Sequence, residues 1–428
     1  MIKKTRQYKS ELAVIGAGIA GCAATIFALS RGIKTTQIGN TGALAYTTGY
    51  FDLLGAHQAK YLQDPWQGLQ QLRKQQPEHP YAKVSDEEIR SAFNEFITAL
   101  DKMGLHYSSP GQNNHLAMLP AGACKPTFCL PATMQKATQA MSSKASVLII
   151  DFVGLQGFSA KEIVANLKSQ WPRLRAKRLS FPEMETGAQV FPEVMARAME
   201  VATTREEFAR RLKAIAGDAE YIAMPAMLGI HKADFIHAEM EKLLGLPIFE
   251  IPTIPPAVPG IRLREILEQQ LSVQGATIVT QQKVKRVSFD EDVIRLFLHD
   301  IYGQVEVEAN NVILASGRFL SGGLKSDQYE IREALIDLPI YQPQGRENWF
   351  SESYFDANGH AVNRSGLEVN DQFQVMDQSA KIIDNRLYAS GIVLAHQDWI
   401  RQRCGAGLAI ATSFKAVNVI AQKLSAVT

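Results

Sequence analysis

The chain opens with a nucleotide-binding fingerprint that lacks one of its usual parts. Glu11-Leu-Ala-Val-Ile15 reads as a short buried strand, Gly16-Ala-Gly18-Ile-Ala-Gly21 follows at once, and Cys22 to Ser30 reads as a helix stopped by Gly32. In a strand–turn–helix unit of this kind the first glycine allows the tight turn. The second lets backbone approach a phosphate, and the third lets helix and strand pack closely. Phosphate rests on the helix N-terminus, where free N–H groups and the helix dipole favour negative charge. A dinucleotide site also places Asp or Glu near the end of the second strand, to bind the adenosine ribose. Here Lys34-Thr-Thr-Gln-Ile38 runs into Gly39-Asn40-Thr41, and no Asp or Glu occurs between Glu11 and Asp52. The pattern argues for a bound nucleotide or flavin and against ordinary NAD. It fits FMN, which has one phosphate and no adenosine, or FAD held on its ribose by Asn40 or Thr41. The bland alternative is a glycine-rich turn kept only for packing.

At 428 residues the chain can hold two or three domains and a large core. Hydrophobic residues make up 46% and charged residues 21%, which is ordinary for a globular protein, and the net charge of +2 gives no reason to propose a nucleic-acid partner. No apolar run approaches the roughly 18–20 residues that a membrane span needs. The basic N-terminus runs into Glu11 and the glycine motif, which is not the pattern of a signal peptide. A cytoplasmic protein is expected, peripheral on a membrane only through a partner. The four cysteines, Cys22, Cys124, Cys129 and Cys404, form no CxxC pair. Iron–sulfur or zinc ligation within this chain is therefore not expected. Cys124 and Cys129 read as two reduced thiols rather than a redox pair.

Hydrophobic patterning predicts an α/β fold with a split Rossmann-like domain, a mixed or parallel sheet with helices on both faces. Residues 1–60 form its first part and 256–428 its second. The second part holds a helix over Gly260–Leu271, strands at Ala276–Thr280 and Val284–Phe289, and a turn at Asp290–Asp292 into Val293–Leu298. Buried strands over Asn311–Gly317 and Arg386–Gly391 follow, then a C-terminal helix from Leu408. The region between, 61–255, reads as a mostly helical inserted domain for substrate or partner. Its helices are predicted at Asp86–Met103, capped by Ser85, and at Arg205–Ala214 and Lys232–Leu244. Ile251–Pro259 carries four prolines and reads as a rigid crossing between domains. Lys161–Arg178 sets six basic residues around Trp171; it is either a solvated helix face or a contact to anionic lipid or a partner.

Several segments carry a resemblance: Thr48-Gly-Tyr-Phe-Asp-Leu-Leu54, Val258-Pro-Gly-Ile-Arg-Leu263, Leu314-Ala-Ser-Gly-Arg-Phe-Leu-Ser-Gly-Gly323, Ile331-Arg-Glu-Ala334 and the stretch Leu387–Ala411. With the N-terminal motif they resemble flavoproteins of the two-dinucleotide-fold group, and more narrowly the B subunit family of anaerobic glycerol-3-phosphate dehydrogenase. The resemblance implies a flavin-bearing redox subunit of a complex that oxidises sn-glycerol 3-phosphate to dihydroxyacetone phosphate and sends electrons towards quinone. It implies two partners, a second flavoprotein subunit and an iron–sulfur subunit that anchors to the membrane. The chain departs from the pattern twice. Ile392 stands where many such flavoproteins have an acid for the ribityl chain, and His396 stands where the family has glycine.

The expected non-covalent flavin site comprises Gly16, Gly18, Gly21 and Asn40, then Thr47, Thr48 and Gly49, then Ser316, Gly317, Gly391, Gly405 and Gly407. Oxidising an alcohol needs a base for the hydroxyl proton. His396 is the first candidate, His231 the next, and Arg318 a cation beside the flavin motifs. Lys125, Arg401 and Arg403 are the candidates for a substrate phosphate. Two other readings stay open: a stand-alone flavin oxidoreductase of another hydroxy or keto substrate, and a structural subunit with a vestigial flavin site.

Overall fold

The computed structural model describes residues 5–40, 43–184, 189–356 and 358–426. Thr41, one of the two candidate ribose contacts, lies outside the described residues. Strand β1 (Arg6–Ile15), helix α1 (Ile19–Ser30) and strand β2 (Thr35–Gly39) form the expected N-terminal unit. Helix α1 is apolar almost all round, and every residue from Ala20 to Ala28 is buried. A helix with no polar face must be covered on all sides; the C-terminal helix Gly405–Ser425 packs against it.

β1 lies inside a seven-stranded sheet. β2 and the long strand Gly303–Leu314 flank it, both parallel, and Thr277–Thr280 extends the sheet beyond β2. The long strand changes partner on its other side. Its residues 303–309 pair antiparallel with Ile294–Asp300, which in turn pairs with Arg286–Phe289. Its residues 312–314 pair parallel with Leu387–Ala389. Burial follows the change: it alternates in the antiparallel half and is continuous from Asn311 to Leu314. One-sided antiparallel pairing tolerates a solvated face, whereas parallel strands are covered on both.

The chain divides into two compact units. The first gathers the described residues of 1–43, 52–99 and 267–428; the second gathers 44–51 and 100–266. The domain limits expected at 60 and 255 are corrected accordingly. The helix Asp86–Lys102 begins with a capping box in which Ser85 Oγ accepts from the Glu88 N–H at 3.1 Å and Glu88 Oε2 accepts from the Ser85 N–H at 2.9 Å. Residues Pro252–Ala257 are irregular, and the next helix begins at Val258. That proline segment lies wholly inside the second unit, so it is not the crossing between domains.

The middle region, read as mostly helical, also holds a sheet that the sequence pattern did not announce. Strands Ile248–Ile251, Tyr221–Pro225, Val147–Phe152 and Leu174–Leu179 form a four-stranded parallel sheet in that order, with helices that include Ala202–Ala216 and Ala233–Leu244. Val147-Leu-Ile-Ile-Asp-Phe152 is buried at every residue. A strand covered on both faces lacks the alternation that marks strands in sequence, and a short apolar run cannot be told from buried helix by periodicity. Phe152, Phe181 and Phe208 close this core with ring centroids 5.7–5.8 Å apart. Trp171 is buried and donates its indole N–H to the Ala145 carbonyl at 2.8 Å, so it is a core residue and not a lipid contact.

Candidate functional site

In the first unit, Ile15 is registered with Ile38 on one side and Leu314 on the other. Three parallel strands thus end together, and the glycine turn sits at their carboxyl edge, where open α/β sheets bind ligands. The three glycines have separate tasks. Gly16 adopts φ +141°, donates its N–H to Ile38 at 2.8 Å, and backs onto Ala315, whose carbonyl oxygen a Cβ would approach to 2.2 Å. Gly21 brings the helix onto the turn; a Cβ there would stand 2.0 Å from the Gly16 carbonyl oxygen. Gly18 meets nothing within 4 Å. It is the N-cap of α1, no side chain caps that end, and no acid occupies the first turn. An uncapped helix N-terminus behind a bare backbone suits a phosphate.

Two residues that the motif does not name complete this turn. Gln37 donates its amide to the Gly16 carbonyl at 3.0 Å. Gly39 lies so close to Ala17 that a Cβ would stand 2.5 Å from its side chain. Asn40, which follows, is exposed. Across the strand ends, the Ser316 hydroxyl is buried and has no hydrogen-bond partner among the described residues. Gly317 beside it adopts φ +70°. An orphaned hydroxyl at the strand end, an open Gly18 and a bare helix N-terminus together fit a phosphate-bearing cofactor. Ser316 and the α1 N-terminus would hold it.

The late glycines serve packing more than approach to a ligand. Gly391 adopts φ +78° and donates its N–H to Thr412 Oγ1 at 2.8 Å, and a Cβ on it would stand 2.7 Å from Ala20. Gly407 donates its N–H to the Asp52 carbonyl at 2.8 Å, and a Cβ would run into the Tyr81 hydroxyl at 2.2 Å. A Cβ on Gly405 would stand 3.1 Å from the Trp399 ring. Thr47, Thr48, Gly49, Lys125 and His231 belong to the second unit. There Thr47 bonds the Leu44 carbonyl at 2.9 Å, and Gly49 packs on Pro259. Thr48 is half-buried, Lys125 Nζ lies 5.4 Å above the Tyr50 ring, and His231 stands 3.4 Å from Glu265.

Arg318 differs from expectation. It is buried, and its guanidinium donates to the carbonyls of Ser365 at 2.6 Å and Val362 at 3.0 Å. Burial pulls its pKa down to about 10, with Asp398 acting the other way. It fastens a turn and is not a cation offered to substrate. Arg403 adopts φ +49° and donates to the Tyr61 hydroxyl at 3.1 Å. Arg401 is half-buried, with its N–H on Asp398 Oδ1 at 3.2 Å. His396 is held at Nε2 by Glu368 Oε1 at 2.8 Å. Sequence reading did not find Glu368, Ser316's isolation or the buried His79, since none is announced by a local motif.

Among the described residues no helix is long and apolar enough to cross a membrane, and no group of three His, Cys, Asp or Glu could hold a metal ion. The chain is 27% identical to the B subunit of anaerobic glycerol-3-phosphate dehydrogenase from Aliivibrio fischeri, over 96% of this chain and 95% of that one. Proteins of the same name from Actinobacillus pleuropneumoniae (26%, 96% and 98%) and Yersinia pestis (27%, 97% and 99%) are similar to it as well. Among solved structures, 3-ketosteroid Δ1-dehydrogenase of Sterolibacterium denitrificans aligns with 97% of the chain and 100% of its own at 12% identity, with a TM-score of 0.44. Residues 11–408 match the model of the FAD binding domain family, and the chain, with a glycine turn suited to a flavin phosphate, belongs to that family.

Proposed function

We propose that this chain is the flavin-bearing B subunit of an anaerobic glycerol-3-phosphate dehydrogenase complex, oxidising sn-glycerol 3-phosphate to dihydroxyacetone phosphate with electrons passed towards quinone. The observation that carries the reading is the open Gly18 turn at the N-terminus of α1, in a chain matched end to end by proteins of that name. The flavin is non-covalent. FMN is favoured because β2 ends in Gly39-Asn40 with no carboxylate for an adenosine ribose. The family description supports FAD as the second reading. When bound, flavin supplies the hydride acceptor. The chain's own part is to hold the cofactor phosphate on the α1 N-terminus and to offer His396 as the proton acceptor, with Arg401 and Arg403 of the same unit as cations for a substrate phosphate. The partners proposed are a second flavoprotein subunit and an iron–sulfur subunit at the cytoplasmic membrane face.

Purification with flavin supplied, absorbance, and mass analysis of the acid-released cofactor test the site. One flavin per chain, released by acid, is expected. A colourless protein overturns the flavin reading, and an adenylated flavin replaces FMN with FAD. Reconstitution tests the assembly. The isolated chain should be slow with glycerol 3-phosphate and an artificial acceptor, and fully active beside both partners. Rapid turnover by a lone monomer would reject the subunit reading.

A further inference from the structure

His396 occupies an unusual backbone position. Its φ is +62°, in the left-handed region that favours glycine, and its N–H donates to the Arg364 carbonyl at 2.8 Å. A glycine would take that conformation freely, whereas histidine adopts it only at a steric cost. Main-chain pairing brings a carboxylate to it. Leu367 donates its N–H to Val393 at 2.9 Å, and Ala395 donates its N–H to Leu367 at 2.9 Å, so residues 366–368 run beside 393–396. The approach is close: a Cβ on Gly366 would stand 2.4 Å from the Val393 carbonyl oxygen. Glu368 Oε1 then lies 2.8 Å from His396 Nε2. The Tyr341 ring packs on the imidazole with centroids 4.1 Å apart. Tyr341 is itself fixed by two main-chain hydrogen bonds to Gly366, of 2.8 and 3.0 Å. The imidazole is thus gripped at one nitrogen and covered by a ring, while Nδ1 has no hydrogen-bond partner among the described residues.

We propose that Glu368 is the positioning residue of His396: its carboxylate accepts the Nε2 proton, holds the neutral imidazole in the Nε2–H form, and leaves Nδ1 as the proton acceptor. A neutral imidazole has one donor and one acceptor nitrogen, and the partner of one decides the task of the other. In the proposed reaction the substrate hydroxyl O–H bond breaks and its proton passes to Nδ1, with the hydride left to the flavin. The resulting imidazolium keeps its Nε2–H on Glu368, where the charge is stabilised. Tyr341 restricts rotation of the ring, so that Nδ1 keeps one direction. The base role rests on the proposed function; the tautomer does not.

Selective 15N-histidine labelling of the full chain, with His396→Gln to assign the signal, reads the tautomer at about pH 8, where an ordinary imidazole is neutral. The wild type should be predominantly Nε2–H. Glu368→Ala should raise the Nδ1–H share several-fold, and Glu368→Gln, which keeps an oxygen acceptor, should fall between them. Melting curves of the two variants show that both are folded. A wild type that is mainly Nδ1–H, or a tautomer unmoved in folded Glu368→Ala, overturns the proposal. In the assembled complex both variants should lose turnover, by about 10²-fold for Glu368→Ala, with KM little changed. A tautomer shift with full turnover leaves Glu368 as the positioning residue and removes His396 from the chemistry, so the two readings fail separately.

Discussion

Gly16 and Ala315 stand back to back at the ends of two neighbouring parallel strands, so close that a single methyl on Gly16 would lie 2.2 Å from the Ala315 carbonyl oxygen. The same turn leaves Gly18 with nothing within 4 Å. The glycines of one motif therefore answer to different constraints: Gly16 and Gly21 are held by packing, whereas Gly18 leaves open space.

This separation predicts distinct mutant behaviour. Gly16→Ala and Gly21→Ala should destabilise the first unit by roughly 1–3 kcal/mol through overpacking. Gly18→Val should melt close to wild type and lose flavin, because its side chain fills the space through which phosphate approaches backbone. Thermal melts with flavin stoichiometry check this. Wild-type flavin content in Gly18→Val would place the phosphate elsewhere.

Glu250 and Arg262 form a fully buried pair in the second unit, with contacts of 2.6 and 2.9 Å. Burial acts to raise the Glu250 carboxyl, but Arg262, Thr133 and the Leu228 N–H outweigh it and hold the pKa below the usual carboxylate range. Glu250 also accepts from the Met227 N–H at 2.7 Å. Removing one partner leaves a buried charge, so Arg262→Met should cost about 3–5 kcal/mol in urea unfolding. The double variant Glu250→Leu/Arg262→Met should recover much of that loss. Equal losses in the single and double variants would show that packing, not charge, sets the cost.

His79 gives the first unit a pH dependence. It is fully buried; its Nδ1 accepts from the Tyr81 N–H at 3.1 Å, and its Nε2 faces Gln402 Oε1 at 3.1 Å. Burial lowers its pKa to about 3, with Gln402 opposing. The unfolded chain, at an ordinary pKa near 6.5, takes up a proton that the folded chain refuses. Stability is therefore lost as pH falls from about 6.5 towards 3, by at most about 1.4 kcal/mol per unit. Urea midpoints should drop more between pH 7 and 5 for wild type than for His79→Gln. Parallel drops would exclude His79 as the cause.

The thiols should react in a set order. All four cysteines are free. Burial pushes Cys22 up to about 12 and raises Cys129 and Cys404, all three buried, whereas Cys124 is half-buried. A thiol reagent on the native chain should modify Cys124 first, and Cys124→Ser should remove the fast phase. A fast phase that survives in that variant would mean that a buried thiol opens readily.

Elements written in consecutive residues were legible. The strand–glycine–helix unit, the Ser85–Glu88 cap, the hairpin around Asp290–Asp292 and the C-terminal helix all follow from local pattern, because residue type and short spacing mark them. The sheet of the second unit was not, because Val147–Phe152 is covered on both faces and loses the alternation that identifies a strand.

The amino-acid order alone determined that a glycine turn joins β1 to α1, that no carboxylate stands between Glu11 and Asp52, and that two later segments return as strands and turns. These depend on residue type and short spacing, which backbone sterics read directly. Only the tertiary structure decided what the polar side chains do. Arg318 spends its guanidinium on carbonyls 44 and 47 residues away, and His396 meets a carboxylate 28 residues away. Such pairings are made when distant segments pack and buried polar groups must find partners, and no local pattern encodes which partner that will be.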